Sequence, residues 1–147
     1  MSFLKIYVHL VWCTKNRAPF LFSKETRELL WNHIRANARE KGVYIDFING
    51  HYDHCHCLVS LGSNQNIGNI IRLIKGESSF WINKNKLTKQ KFQWQDDYFA
   101  VSVSESMVDR VREYIKNQEA HHARKSFQEE YEDFIRKYKF EPQAGKS

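Results

Sequence analysis

Two short stretches of this chain hold side chains that could do chemistry. The first is Gly50-His51-Tyr52-Asp53-His54-Cys55-His56-Cys57-Leu58-Val59-Ser60-Leu61. In an extended strand, residues two apart point the same way. His54 and His56 then present two imidazoles to one point, and neutral imidazole is the commonest side-chain metal donor. Cys55, Cys57, Val59 and Leu61 share the opposite side and read as core. Two strand histidines can equally be satisfied by hydrogen bonds or water, so the spacing alone leaves both readings open. A zinc site mixing His and Cys is disfavoured, because neighbouring strand residues face opposite sides and no Cys-x-x-Cys pair is present.

The second stretch is Glu113-Tyr114-Ile115-Lys116-Asn117-Gln118-Glu119-Ala120-His121-His122. On a helix Tyr114 and Gln118 stack on one face. His121 falls close to the same line, where a capping or surface role competes with a chemical one. Val111 and Ile115 lie beside that face and would anchor the helix. A mid-helix tyrosine also serves as core or interface, and a glutamine as plain surface.

Periodicity supplies the elements that must position these groups. Residues 4–13 read as a strand that is mostly apolar on both faces. Ser23 can cap a helix over about 24–41, with Leu30, Ile34 and Ala38 on one face and Gly42 as the stop. Residues 43–48 read as a second strand, Asn49-Gly50 as a turn and 54–61 as a third strand, giving a hairpin. Residues 66–84 form the clearest helix, with Ile67, Ile70, Ile71 and Ile74 in helical spacing. Residues 92–103 read as a fourth strand. A helix over about 107–121 follows, with a last one over about 127–139. The order β-α-β-β-α-β plus C-terminal helices predicts an α+β, ferredoxin-like (RRM-like) antiparallel sheet. Helices on one face would leave the other free for a ligand or a second subunit.

The 147 residues are 41% hydrophobic and 27% charged. That suits one domain over 1–147, with its sheet core in 4–104. No run of about eighteen apolar residues could span a membrane. Met1 to Lys5 lacks a signal-peptide layout. Three cysteines fit a reducing compartment rather than a disulfide scaffold, so a cytoplasmic protein is expected. The net charge is +6, and residues 62–92 hold Arg72, Lys75, Lys84, Lys86, Lys89 and Lys91 against Glu77 alone. Lys15 and Arg17 make a smaller basic spot beside Trp12. Either a solvated helix face or a phosphate-tracking surface accounts for this distribution.

His54-Cys55-His56 resembles the His-hydrophobic-His motif of the HUH endonucleases, with Cys55 in the hydrophobic slot. Tyr114-Ile115-Lys116-Asn117-Gln118 resembles the catalytic-helix motif of the single-tyrosine transposases of small bacterial and archaeal insertion sequences. The resemblance covers almost the whole chain. It includes His9-Leu10-Val11-Trp12-Cys13-Thr14-Lys15-Asn16-Arg17, Asp53 to Leu61, Trp94 to Ser104, and Gln118-Glu119 through Phe127-Gln128-Glu129-Glu130.

The resemblance implies a transposase that cuts and rejoins single-stranded DNA beside hairpins at element ends. Tyr114 is then the nucleophile, joined to the 5′-phosphate, with a 3′-hydroxyl released. His54, His56 and Gln118 are then ligands of a divalent ion. Mg²⁺ is expected from its abundance, and Mn²⁺ should serve because it tolerates imidazole better. The resemblance also implies a homodimer in which the tyrosine helix of one subunit serves the histidines of the other. Lys15, Arg17 and Lys75 are the candidate DNA-binding residues, and no membrane partner is expected. The general base is left unassigned. A rival reading is a ferredoxin-like module that binds single-stranded nucleic acid without cutting it. Its aromatic-rich strand signature is missing, and it leaves His54 and His56 without a role. A zinc-dependent hydrolase is a third reading.

Overall fold

The computed structural model of the chain describes residues 2–122 together with Glu129, Glu130, Glu132 and Asp133. Its elements are β1 (Tyr7–Cys13), α1 (Lys24–Glu40), β2 (Tyr44–Gly50), β3 (His54–Ser60), α2 (Ile67–Lys84), β4 (Phe99–Val103), α3 (Val108–Lys116) and α4 (Gln118–His122). The four strands form one sheet in the order β2-β3-β1-β4, and every neighbouring pair is antiparallel. This is the ferredoxin-like arrangement that the element order predicts. The expected last helix over 127–139 falls mostly outside the described residues; Glu129, Glu130, Glu132 and Asp133 are helical.

Strand alternation builds two faces. On the first, Val8, Leu10 and Trp12 of β1 and Cys55, Cys57 and Val59 of β3 join one core. Leu30, Trp31, Ile34 and Ala38 of α1 and Ile70, Ile71, Ile74 and Ile82 of α2 pack onto it. The caps agree with the residue types: Ser23 Oγ accepts from Thr26 N, and Asn66 Oδ1 accepts from Asn69 N.

The second face is not free, which corrects the expectation of helices on one face only. Val108 and Ile115 of α3 pack with Leu58, and Tyr7, Phe47, Val103, Val111 and Tyr114 close around them. An apolar stripe on α3 and an apolar sheet face beneath it bury each other, as hydrophobic burial requires.

Two strand boundaries also differ from the reading of the sequence. β2 continues through Asn49 and Gly50, and Gly50 pairs with Cys55. A Cβ on Gly50 would collide with the His54 carbonyl, so the glycine serves a close strand approach rather than a turn. The fourth strand shrinks to Phe99–Val103. Upstream of it, Gln95 N donates to the Cys13 carbonyl and Lys15 N to the Gln93 carbonyl. Trp94 Nε1 donates to Ser78 Oγ on α2 at 2.9 Å. These bonds hold 92–98 as a separate segment beside the end of β1, with Trp94 bridged to Thr14. Among the described residues, no helix is long and apolar enough to cross a membrane.

Candidate active site

β3 sets the floor of the site. His54 and His56 are fully buried on the second sheet face. The cysteines beside them turn to the first core, where burial raises both thiol pKa values. His-Cys alternation therefore builds two separate surfaces, and no mixed tetrahedron forms.

α3 brings the other groups over this floor. Its inner face is fixed by the fully buried Ile115. Arg112 grips Asp46 of β2 with two bonds of 2.7 and 3.0 Å, and Asn49 Nδ2 donates to the Ile115 and Lys116 carbonyls at 3.0 and 3.1 Å. Those carbonyls lie at the end of α3, where intrahelical partners run out. The helix breaks at Asn117 and restarts as α4, so Tyr114 and Gln118 do not share one continuous helix. They still converge. The Tyr114 ring stands edge-on to His56, with centroids 5.4 Å apart. Gln118 is fully buried, with Oε1 2.9 Å from His54 Nε2. Arg27 of α1 steadies α4 through a 3.0 Å bond to Glu119. The His121 side chain lies outside the described residues.

Glu130 completes the arrangement. It is 2% exposed. The Tyr114 hydroxyl donates to its Oε1, which also lies 2.8 Å from His56 Nε2. Its Oε2 is 3.7 Å from His54 Nε2. Donor atoms of His54, His56 and Glu130 all fall within 4.8 Å of one another. Two imidazoles, a carboxylate and a neighbouring amide oxygen suit a divalent ion that accepts nitrogen and oxygen. Behind them, Asp53 Oδ1 is 2.9 Å from His54 Nδ1, and His9 Nε2 is 2.9 Å from His56 Nδ1. Burial, and next the His56 imidazole, push the pKa of His9 down to about 3.

Tyr114, His54, His56 and Gln118 thus meet as a group. Reading the sequence alone passed over Glu130, and over His9 and Asp53 as partners of the histidines. The available signals were modest. Asp53 adjoins His54, His9 shares a face of β1 that must lie on one side of the sheet, and Glu130 sits in a stretch chosen for its resemblance alone.

The candidate DNA-binding residues are divided. Lys15 and Lys75 line an open groove of about 910 Å³ with Phe80, Lys84 and Lys91. Arg17 lines a separate groove of about 450 Å³ with Trp12 and Tyr98. The Lys75 ammonium donates to the carbonyls of Gln95, Asp96 and Asp97 at 2.6, 3.0 and 3.0 Å, and burial lowers its pKa. Its first duty is to hold the 92–98 segment against α2.

Comparison with known proteins adds independent information. The family model described as "Transposase IS200 like" matches residues 2–118. The ISDra2 transposase TnpA of Deinococcus radiodurans is 27% identical over 115 residues, spanning 75% of this chain and 81% of that protein. A crystal structure of a candidate transposase from Deinococcus radiodurans R1 superposes with a TM-score of 0.64 at 25% identity, covering 80% of this chain and 93% of that one. A REP-associated tyrosine transposase, solved bound to a REP hairpin, superposes with a TM-score of 0.61 at 15% identity, covering 83% and 72%. At that identity the last likeness speaks for the fold.

Proposed function

The chain belongs to the IS200-like transposase family, and from that premise we propose that it cleaves and rejoins single-stranded DNA at the hairpin-flanked ends of an insertion element, with Tyr114 as nucleophile. It acts as a single catalytic domain over 1–147. One observation carries the reading: a tyrosine hydroxyl, two imidazoles, an amide and a carboxylate come together in one largely buried cluster on a sheet face.

A phenol is mostly protonated at neutral pH, so attack needs a group that takes its proton. Glu130 Oε1 already accepts the Tyr114 hydroxyl hydrogen. In cleavage, Tyr114 Oη forms a bond to phosphorus and its proton passes to Glu130. The bond from phosphorus to the 3′-oxygen breaks, and that oxygen leaves with the electron pair and takes a proton from water. The phosphotyrosine keeps the energy of the diester. A 3′-hydroxyl can therefore attack it, giving its proton back to solvent as the new bond to phosphorus forms, and the strand is rejoined without ATP while Glu130 returns its proton to the departing Tyr114 oxygen. No phosphate-cradling loop is called for, and Leu61-Gly62-Ser63-Asn64 does not form one.

His54, His56 and Gln118 would hold Mg²⁺ or Mn²⁺, with Glu130 as a further oxygen donor, and the bound ion would offset charge on the phosphate and the departing oxygen. Lys15 and the lysines around its groove, with Arg17 nearby, supply a basic surface for the phosphate backbone. The working form is a two-fold dimer in the cytoplasm.

The test is covalent capture. An oligonucleotide carrying an imperfect palindrome, incubated with the protein and Mg²⁺, should yield a protein–DNA adduct that survives denaturing electrophoresis, and Tyr114→Phe should yield none. A protein that binds the oligonucleotide without forming the adduct would be the non-cutting module instead.

A further inference from the structure

We infer that His9 is a positioning residue for this pocket: it holds the His56 ring so that Nε2 faces the pocket, as Asp53 holds His54. The inference rests on the proposed metal role of the two histidines and adds a residue to it.

An imidazole binds a cation through one unprotonated nitrogen, and its proton then sits on the other. In a buried site that N–H needs an acceptor, since an unpaired polar group there is costly. Both histidines meet this requirement in the same way. His54 turns Nδ1 to Asp53 at 2.9 Å and Nε2 toward Gln118 and Glu130. His56 turns Nδ1 to His9 Nε2 at 2.9 Å and Nε2 toward Glu130 at 2.8 Å. The same ring nitrogen of each therefore faces the shared pocket.

The sheet register produces this contact. His9 pairs with Leu58, and His56 pairs with Val11. His9 and His56 are thus diagonal neighbours on one face of an antiparallel pair, close enough for long side chains to meet. Their rings lie 5.1 Å apart at 31°. Tyr114 stands edge-on to both, 5.4 Å from His56 and 6.2 Å from His9. His9 Nε2 is placed to accept the His56 Nδ1 hydrogen. His9 presents its nitrogen to the back of His56 and works through that ring.

Mn²⁺ binding to the full chain without DNA, read by electron paramagnetic resonance, tests the inference apart from activity. Wild type should bind and His56→Ala should not. His9→Leu should bind about 10- to 100-fold more weakly, the usual effect of losing an outer-shell partner. His9→Gln offers a carbonyl oxygen to the same N–H and should stay close to wild type. Equal loss in Leu and Gln variants, or no loss in His9→Leu while His56→Ala loses the ion, overturns the role of His9 alone. A wild type that binds no Mn²⁺, or a His56→Ala variant that binds it normally, overturns the metal reading and this inference with it. Wild-type protein labelled with nitrogen-15 and saturated with Mg²⁺ gives a check that needs no variant to fold. A scalar coupling between His56 Nδ1 and His9 Nε2 across the hydrogen bond is expected, and its absence overturns the inference.

Discussion

At the scale of single residues, the proposed function divides the cluster into groups that would meet DNA or cation and groups that hold them in place. His54→Ala or His56→Ala removes an imidazole and should abolish cleavage in Mg²⁺ while leaving hairpin binding largely intact, as read by paired gel-shift and cleavage assays. Gln118→Ala should act in the same direction but less severely, since water can replace an amide oxygen. Glu130→Gln keeps the shape of the side chain but cannot take the Tyr114 proton. Cleavage should fall by about 10²- to 10⁴-fold, the usual scale of general-base loss, with single-turnover rates as the measurement. The histidine pair was legible through strand alternation, and the tyrosine–glutamine pair because the two lie only four positions apart and converge despite the break at Asn117. Glu130 was not, because its role depends on a contact with Tyr114 sixteen positions away, and no periodicity encodes that. His9 and His56 are 47 positions apart, and only the strand order brings them together.

At the scale of elements, what positions the site is the clamp of α3 on the second sheet face. A bulge in β2 makes it possible. The register of β2 against β3 shifts between Ile45 and Phe47, so Ile45 and Ile48, three apart, both enter the first core. Phe47 instead packs under α3, and Asp46 receives Arg112. A bulge of this kind re-aims side chains, and strict alternation could not anticipate it. The apolar stripe of α3 was visible in the sequence, but a stripe says only that a face is buried and does not name the surface that buries it. The shortened β4 has a similar origin. Its pattern resembled a strand from Phe92 onward, yet the carbonyls of Gln95, Asp96 and Asp97 are committed to Lys75. The clamp is testable. Ile115 of α3 is fully buried against Leu58, so Ile115→Ala should cost about 2–5 kcal/mol. Urea denaturation should show a lower midpoint. Because the same change loosens Tyr114 and Gln118, cleavage should drop at temperatures where the sheet remains folded by circular dichroism.

At the scale of the whole molecule, the covered second face changes the argument for a dimer. An exposed apolar sheet face would have called for a partner, but α3 already buries it. In the described chain Tyr114 lies over the histidines of its own chain. A tyrosine helix that serves the partner subunit must therefore swing away on the segment between β4 and α3, the short turn Glu105–Met107, and dock on the other copy in the same way. Two-fold exchange permits this at small cost, because the packing given up within a chain is rebuilt between chains. Ile115 would meet a Leu58 surface on the other copy instead of its own, and the Arg112 pairing with Asp46 would be remade across the axis. Mixing two inactive proteins decides between the arrangements. In a mixed dimer of Tyr114→Phe with His54→Ala/His56→Ala, exchanged helices give one site with both defects and one with neither. Cleavage should then return on mixing, to about a quarter of the wild-type level if subunits pair at random: half of the dimers are mixed, and each has one intact site. Without exchange, every site in the mixed dimer carries a defect and cleavage stays absent. Subunit exchange, confirmed with differently tagged chains, ensures that silence on mixing means each chain completes its own pocket, as the packing of Ile115 on Leu58 within one chain would then require.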